Sequence, residues 1–185
     1  MLMASEVVHG DTDRADLNSR LALDIPAKEV RQKVTTILGK IWFPSDPGRA
    51  ALASDAASYI AAGDENARAL SFTAVTIATY PFFGQVLETV GRLIAIQGSC
   101  ASGEVHRRMF ERHGESRTIS LSGARAFRSM IDWGLLDRDA QKRLVPKQRP
   151  SADKAGRVLL DRGANFFRGS ITPLSNGDPL LLLFR

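Results

Sequence analysis

One cysteine in 185 residues, Cys100, leaves no internal disulfide to close, which fits a chain that works in a reducing compartment. Histidine is almost as scarce: of the three, His106 and His113 lie seven positions apart, nearly two helical turns, with no third ligand near them in sequence. Neither a structural nor a catalytic zinc site is expected from that spacing. No apolar run approaches the roughly 20 residues that span a bilayer. The opening MLMASEVVHGDTDRADLNSR has neither the basic leader nor the apolar stretch of a signal peptide. The expectation is a cytoplasmic protein with no membrane partner.

Chemistry-bearing motifs are missing as well. The chain has no G-x-G-x-x-G or G-x-x-x-x-G-K-[ST] loop to cradle phosphates and no H-E-x-x-H pair for a hydrolytic zinc. Cys100 precedes a helix start, where a thiol pKa can fall, but no base stands near it in sequence, so it reads as a small buried thiol. The paired acids Asp11 with Asp13 and Asp137 with Asp139 fall in an arm and in a turn, where turn chemistry accounts for them. These absences predict no catalytic residue, no cofactor and no enzyme.

What is present is a 44% hydrophobic composition and a net charge of +5, with a pI near 9.8. The length suits two small domains. Between Ser99 and Pro150 eleven basic residues face six acidic ones, so this segment carries the whole excess and the rest is near neutral. A basic balance of this kind suits an anionic partner.

The fold class predicted is mainly α. Residues 1–25 are expected to be a disordered arm. A helical domain is expected over 26–80. It begins with a core-facing helix over 26–42 whose stripe is Val30, Val34, Ile37, Leu38 and Ile41. An alanine-rich helix follows, ended by Gly63, and then a helix near 65–79 capped by Asp64. From Pro81 the apolar residues Phe83, Val86, Leu87, Val90, Leu93 and Ile94 recur at helical spacing until Gly98. Ser102 is the expected N-cap of a shorter helix with Val105, Met109 and Phe110 inward. Ser120 is the expected cap of a third, in which Ala124, Phe127, Met130 and Ile131 face inward and Ser122, Arg125, Arg128 and Ser129 face out. Gly134 ends it, and LLDR and KRLVPK follow as short strands joined by DAQ.

The stretch ISLSGARAFRSMIDWGLLDR thus opens a helix with outward arginines and closes on a basic hairpin carrying Arg138, Lys142, Arg143 and Lys147. Three helices, the GLL exit and that hairpin, over 81–149, resemble the winged helix-turn-helix superfamily. The resemblance implies that the third helix enters a major groove of double-stranded DNA. Arg125 and Arg128 are then placed to pair with guanine, and Ser120, Ser122 and Ser129 line the same interface. Arg117, Lys142, Arg143 and Lys147 would touch phosphates and position the protein, and Arg138 belongs to the same nucleic-acid-binding face. The alternative is an ordinary solvated helix followed by a hairpin, and Asp132, Asp137 and Asp139 weaken the local positive field in its favour.

Residues 150–185 are expected to form a C-terminal helix and an apolar, strand-like tail. Leu180, Leu181, Leu182, Leu183 and Phe184 would either pack on their own core or dock a protein partner, which supports a second reading as an interaction adaptor. The run from TYPFFGQVLETVGRLIAIQG through MFERHG to SLSGARAFRSMIDWGLLDRD, Tyr80 to Asp139, is also similar to the A protein (BrxA) of bacterial BREX phage-defence systems. That likeness contains no catalytic motif. It implies a DNA-binding accessory acting beside larger defence-complex proteins.

Overall fold

A computed structural model describes Glu6, Val8 and residues 14–147 and 152–184. The chain is mainly helical with one small antiparallel two-stranded sheet. It divides into two compact units, residues 1–79 with 154–170 and residues 80–153 with 171–185, so the backbone passes between them three times.

The first unit contains α1 (Arg14–Asp24), α2 (Lys28–Trp42), α3 (Pro47–Ala62), α4 (Glu65–Thr79) and α8 (Lys154–Arg168). Its centre is α4. Eleven residues of this fifteen-residue helix are buried, so it is enclosed on every side instead of presenting one apolar stripe. Alanines on α3 and α4 keep the helix surfaces flat enough for this: Ala53, Ala56, Ala57, Ala67, Ala69 and Ala74 are all buried. The Ser71 hydroxyl donates to the Ala56 carbonyl at 3.2 Å and Thr73 to Ala69 at 2.7 Å, so both polar side chains enter the core hydrogen-bonded. Gly163 brings α8 against α4, since a Cβ there would stand 2.5 Å from the Ala74 carbonyl oxygen. Asp64, the cap expected from sequence, accepts from the Asn66 and Ala67 amides, and Asp46 caps α3 by accepting from the Arg49 amide at 2.8 Å, with Pro47 in the first turn.

Three expectations change in this unit. The predicted arm is helical from Arg14, with Leu17 and Leu21 buried one turn apart; residues 1–5, 7 and 9–13, including Asp11 and Asp13, lie outside the described residues. On α2 the buried residues are Leu38, Gly39, Ile41 and Trp42, whereas Val30 and Ile37 are each 50% exposed. The stripe therefore engages only at its C-terminal half, where Trp42 meets Phe72 edge-on at 6.2 Å. Finally, α8 belongs to this helical unit and not to a separate tail, because Leu159, Leu160, Gly163 and Ala164 form its buried face.

The second unit holds α5 (Pro81–Gln97), α6 (Ser102–His113), α7 (Arg117–Asp132), β1 (Leu136–Arg138), β2 (Leu144–Pro146) and a 3₁₀ turn at Pro179–Leu181. α5 follows the sequence pattern closely, with Phe83, Val86, Leu87, Val90, Leu93 and Ile94 buried and Gly98 closing it at φ 76°. β1 and β2 pair with Asp137 opposite Val145. Leu144 also exchanges both backbone hydrogen bonds with Cys100, at 2.9 and 2.8 Å, so β2 lies between Cys100 and β1. The order is therefore helix, bridge residue, helix, helix, hairpin.

The tail 171–184 ends in a 3₁₀ turn, not a strand. Pro179 follows Asp178, whose carboxylate accepts from the Leu180 amide at 3.0 Å, and Pro removes the donor a ladder needs. Leu180, Leu181, Leu183 and Phe184 are buried, with Leu182 half-buried. Gly91 of α5 makes room for them, since any Cβ there would collide with the Pro179 carbonyl oxygen. The expected partner-docking surface is thus consumed by the unit's own core.

Candidate nucleic-acid interface

α7 begins at Ser116, whose hydroxyl accepts from the Ile119 amide at 3.2 Å, one turn earlier than the expected cap Ser120. Ser120 is half-buried inside the helix. The buried face is Gly123, Ala126, Phe127 and Met130. Ala124, assigned to the core from sequence, is exposed, and Ala126 takes its place. The helix closes in a Schellman arrangement: Gly134, at φ 78°, donates to the Ile131 carbonyl, and Leu135 donates to the Met130 carbonyl. Leu135 and Leu136 are fully buried, which anchors the hairpin at the helix end.

Gly123 sets how α6 meets α7. A Cβ there would stand 2.7 Å from His106 Nε2, and the imidazole tilts on Phe127 at 5.3 Å and stacks on Phe110 at 6.1 Å. His106 is therefore an interhelical packing residue. His113, on the same helix, meets Gln85 and the Phe82 ring, so the two histidines serve different neighbours. Among the described residues no group of three or more His, Cys, Asp or Glu side chains is placed to hold a metal ion.

The outward face of α7 carries Arg117, Leu121, Arg125 and Arg128, all exposed. Arg117 and Arg128 are eleven residues apart, three turns, so they share one stripe about 16 Å long; Arg125 stands one turn before Arg128. Among the described residues none of these three guanidinium groups has an ion-pair partner. Ser122 and Ser129 lie half-buried along one edge of the face. Leu121, 46% exposed, and Ala124 belong to this face; Ala124 read as core from sequence, and Leu121 was assigned to neither face.

The hairpin turn is organised by Asp139, whose Oδ1 accepts from the Gln141 and Arg143 amides at 3.0 and 2.8 Å. Lys142 takes a left-handed φ of 61°, uncommon for a lysine. Its carbonyl accepts from Arg138 Nη1 at 2.8 Å, and Lys142 itself is exposed at the tip of the turn. Lys147, after β2, is exposed too. Arg149, Pro150 and Ser151 are outside the described residues.

Arg143 departs from the expected phosphate role. Its guanidinium donates to Ser99 Oγ at 2.8 Å and to Glu104 Oε2 at 3.3 Å, tying the hairpin to the start of α6. Glu104 simultaneously accepts from the Ala101 amide at 2.6 Å. That amide bond, with Gln97 and then Arg143, holds the Glu104 carboxyl below its ordinary range. Cys100 sits beside this cluster, buried, and desolvation followed by the Glu104 charge raises its thiol to about 11 against the opposing pull of Arg143. Burial thus favours the neutral thiol at physiological pH.

Between α6, α7 and β1 runs a cleft of about 470 Å³ lined by Ser102, His106, Phe127, Arg128, Asp137 and Arg138 among others. Asp132 and Asp137 flank it and temper the positive field of Arg128 and Arg138. Among the described residues, Ser102 Oγ and His106 Nε2 are buried without a hydrogen-bond partner. Also among the described residues, no helix is long and apolar enough to cross a membrane. No protein-family model, no curated protein and no solved structure matches the chain.

Proposed function

We propose that residues 80–147 form a winged helix-turn-helix and that the chain is a non-enzymatic, double-stranded-DNA-binding accessory or regulatory protein of the cytoplasm. The observation that carries this reading is the exposed stripe of Arg117, Arg125 and Arg128 on α7, without an ion pair to any carboxylate among the described residues, beside a hairpin tipped by Lys142. Unpaired guanidinium groups on one helix face gain by meeting phosphate and guanine edges; Arg117 and Arg125 have no acid four residues on, the pairing a merely solvated helix usually uses, and Arg128 has Asp132 there with no ion pair between them. The element order supports it, with Cys100 bridging to β2 and the hairpin following the third helix directly.

In this arrangement Arg125 and Arg128 read bases, and Leu121 and Ala124 offer apolar contact to thymine methyl groups. Arg117, Arg138, Lys142 and Lys147 meet phosphates. Arg143 leaves that set, since it is occupied with Ser99 and Glu104. The similarity of Tyr80 to Asp139 to a BREX accessory protein is what supports a role in bacterial phage defence, beside larger proteins. The adaptor reading that used the C-terminal leucines loses its surface, because those residues are buried in their own unit.

The test is fluorescence anisotropy of the full chain with mixed-sequence duplex DNA, competed by duplex RNA. Binding that prefers DNA and falls about tenfold or more in Arg125→Ala, Arg128→Ala supports the reading, one bidentate guanine pair being worth about 1 to 3 kcal/mol. Unchanged affinity in a folded double variant removes it.

A further inference from the structure

We propose that the groove between α5 and α6 docks an acidic amphipathic helix of a partner protein. This groove, about 420 Å³, is lined by Arg92, Leu93 and Ile96 from α5 and by Arg108, Glu111 and Arg112 from α6, with Thr89. It is separate from the α7 face: His106 packs toward α7, and Arg108, two residues on, points to the opposite flank of the same helix.

Its composition selects the occupant. Ile96 is 83% exposed directly beside buried Leu93, so an apolar strip begins in the core and runs into solvent. Three guanidinium groups surround that strip against one carboxylate in the lining. Arg92 is met by Glu88 at 4.0 Å, and Glu111 is met by Arg107 at 3.9 Å. Arg108 and Arg112 remain without an ion-pair partner among the described residues. These two stand one turn apart, about 6 Å between neighbouring positions, which matches carboxylates at i and i+4 of an approaching helix. A helix with leucines on one face would seat them on Ile96 and Leu93 between two helical ridges, with its acidic flank on the arginines. Duplex DNA fits less well. An exposed isoleucine in the middle of the basic patch adds nothing to a phosphate contact, and Glu88 and Glu111 repel the backbone. The groove thus gives the protein a second binding surface that leaves the α7 arginines free.

The experiment titrates the full-length protein into a fluorescein-labelled helical probe of about 18 residues, with leucines on one face and glutamates on both flanks. Its glutamine counterpart serves as control. The expected result is micromolar binding of the acidic probe, weaker for the glutamine control, and reduced about tenfold by Arg108→Glu with Arg112→Glu and separately by Ile96→Ser. The same variants should bind duplex DNA as wild type does. Equal binding of the two probes, or variants that bind the acidic probe as well as wild type, overturns the assignment. Loss of DNA affinity in Arg108→Glu with Arg112→Glu, parallel to Arg125→Ala with Arg128→Ala, also overturns it by giving the groove to nucleic acid. Probe binding without any DNA binding leaves the groove standing and removes only the winged-helix reading.

Discussion

Replacing Lys142 and Lys147 by alanine should flatten the salt dependence of DNA binding by a calculable amount. In the proposed DNA complex four cations of the α7 and hairpin face meet phosphates: Arg117, Arg138, Lys142 and Lys147, all exposed. Each phosphate neutralised contributes a slope of about −0.9 in log K against log salt. Four contacts give about −3.6, so affinity should fall roughly 150-fold between about 50 and 200 mM salt. Without the two lysines the slope becomes about −1.8, and the same salt change costs only about 12-fold. Arg143→Ala is the contrasting variant, because its guanidinium joins Ser99 and Glu104 within the fold. It should lower the melting temperature and leave the slope at the wild-type value. Anisotropy titrations at five or so salt concentrations, with thermal melts of each variant, supply both numbers. A double-lysine variant with the wild-type slope, or an Arg143→Ala protein with a reduced slope and unchanged melting temperature, would refute the assignment of these side chains.

Three further outcomes are expected. Leu183→Ala, at a fully buried position, should cost about 2 to 5 kcal/mol in denaturant unfolding; a cost near zero would return the tail to the surface. Gly91→Ala should destabilise by about 1 to 3 kcal/mol despite its better helix propensity, because the new Cβ meets the Pro179 carbonyl, whereas Gly103→Ala, which meets nothing within 4 Å, should be neutral or stabilising. Glu104, whose carboxyl is held below its ordinary 4.5, supports the fold fully above that value, and the support is lost as pH falls through the lower folded value. In Glu104→Gln, melts across that acidic window should show a smaller loss than wild type, and an identical pH profile would remove Glu104 as a contributor.

Much of the helical layout was legible because it rests on local signals. Asp64 and Gly98 mark helix ends by side-chain capping and left-handed backbone, and neither depends on distant residues. α5 was readable because its apolar spacing survives intact into the core. The failures come from contacts distant in sequence. Arg143 looked like a phosphate ligand because its partners Ser99 and Glu104 are 44 and 39 residues away. Val30 and Ile37 have the right spacing for a core, but the unit covers only the later turns of α2. Leu17 and Leu21 were too sparse a pattern to set against the polar residues around them. On α7 the choice between Ala124 and Ala126 turned on one small side chain, and the true buried stripe follows Gly123, which hydropathy alone does not mark. The tail was misread as a strand even though Asp178 and Pro179 carry a legible turn signal that its leucines overshadowed.

The three passages of the backbone between the units have a consequence for synthesis. During translation α4 emerges with only α1 to α3 available to cover it, and the Gly163 face that closes on Ala74 is still unmade. α5 likewise appears with Gly91 uncovered, until the Pro179 segment follows. Neither core can close on the N-terminal part of a nascent chain. Both must wait for residues 154–184, so a ribosome stalled before them holds two incomplete apolar surfaces at once.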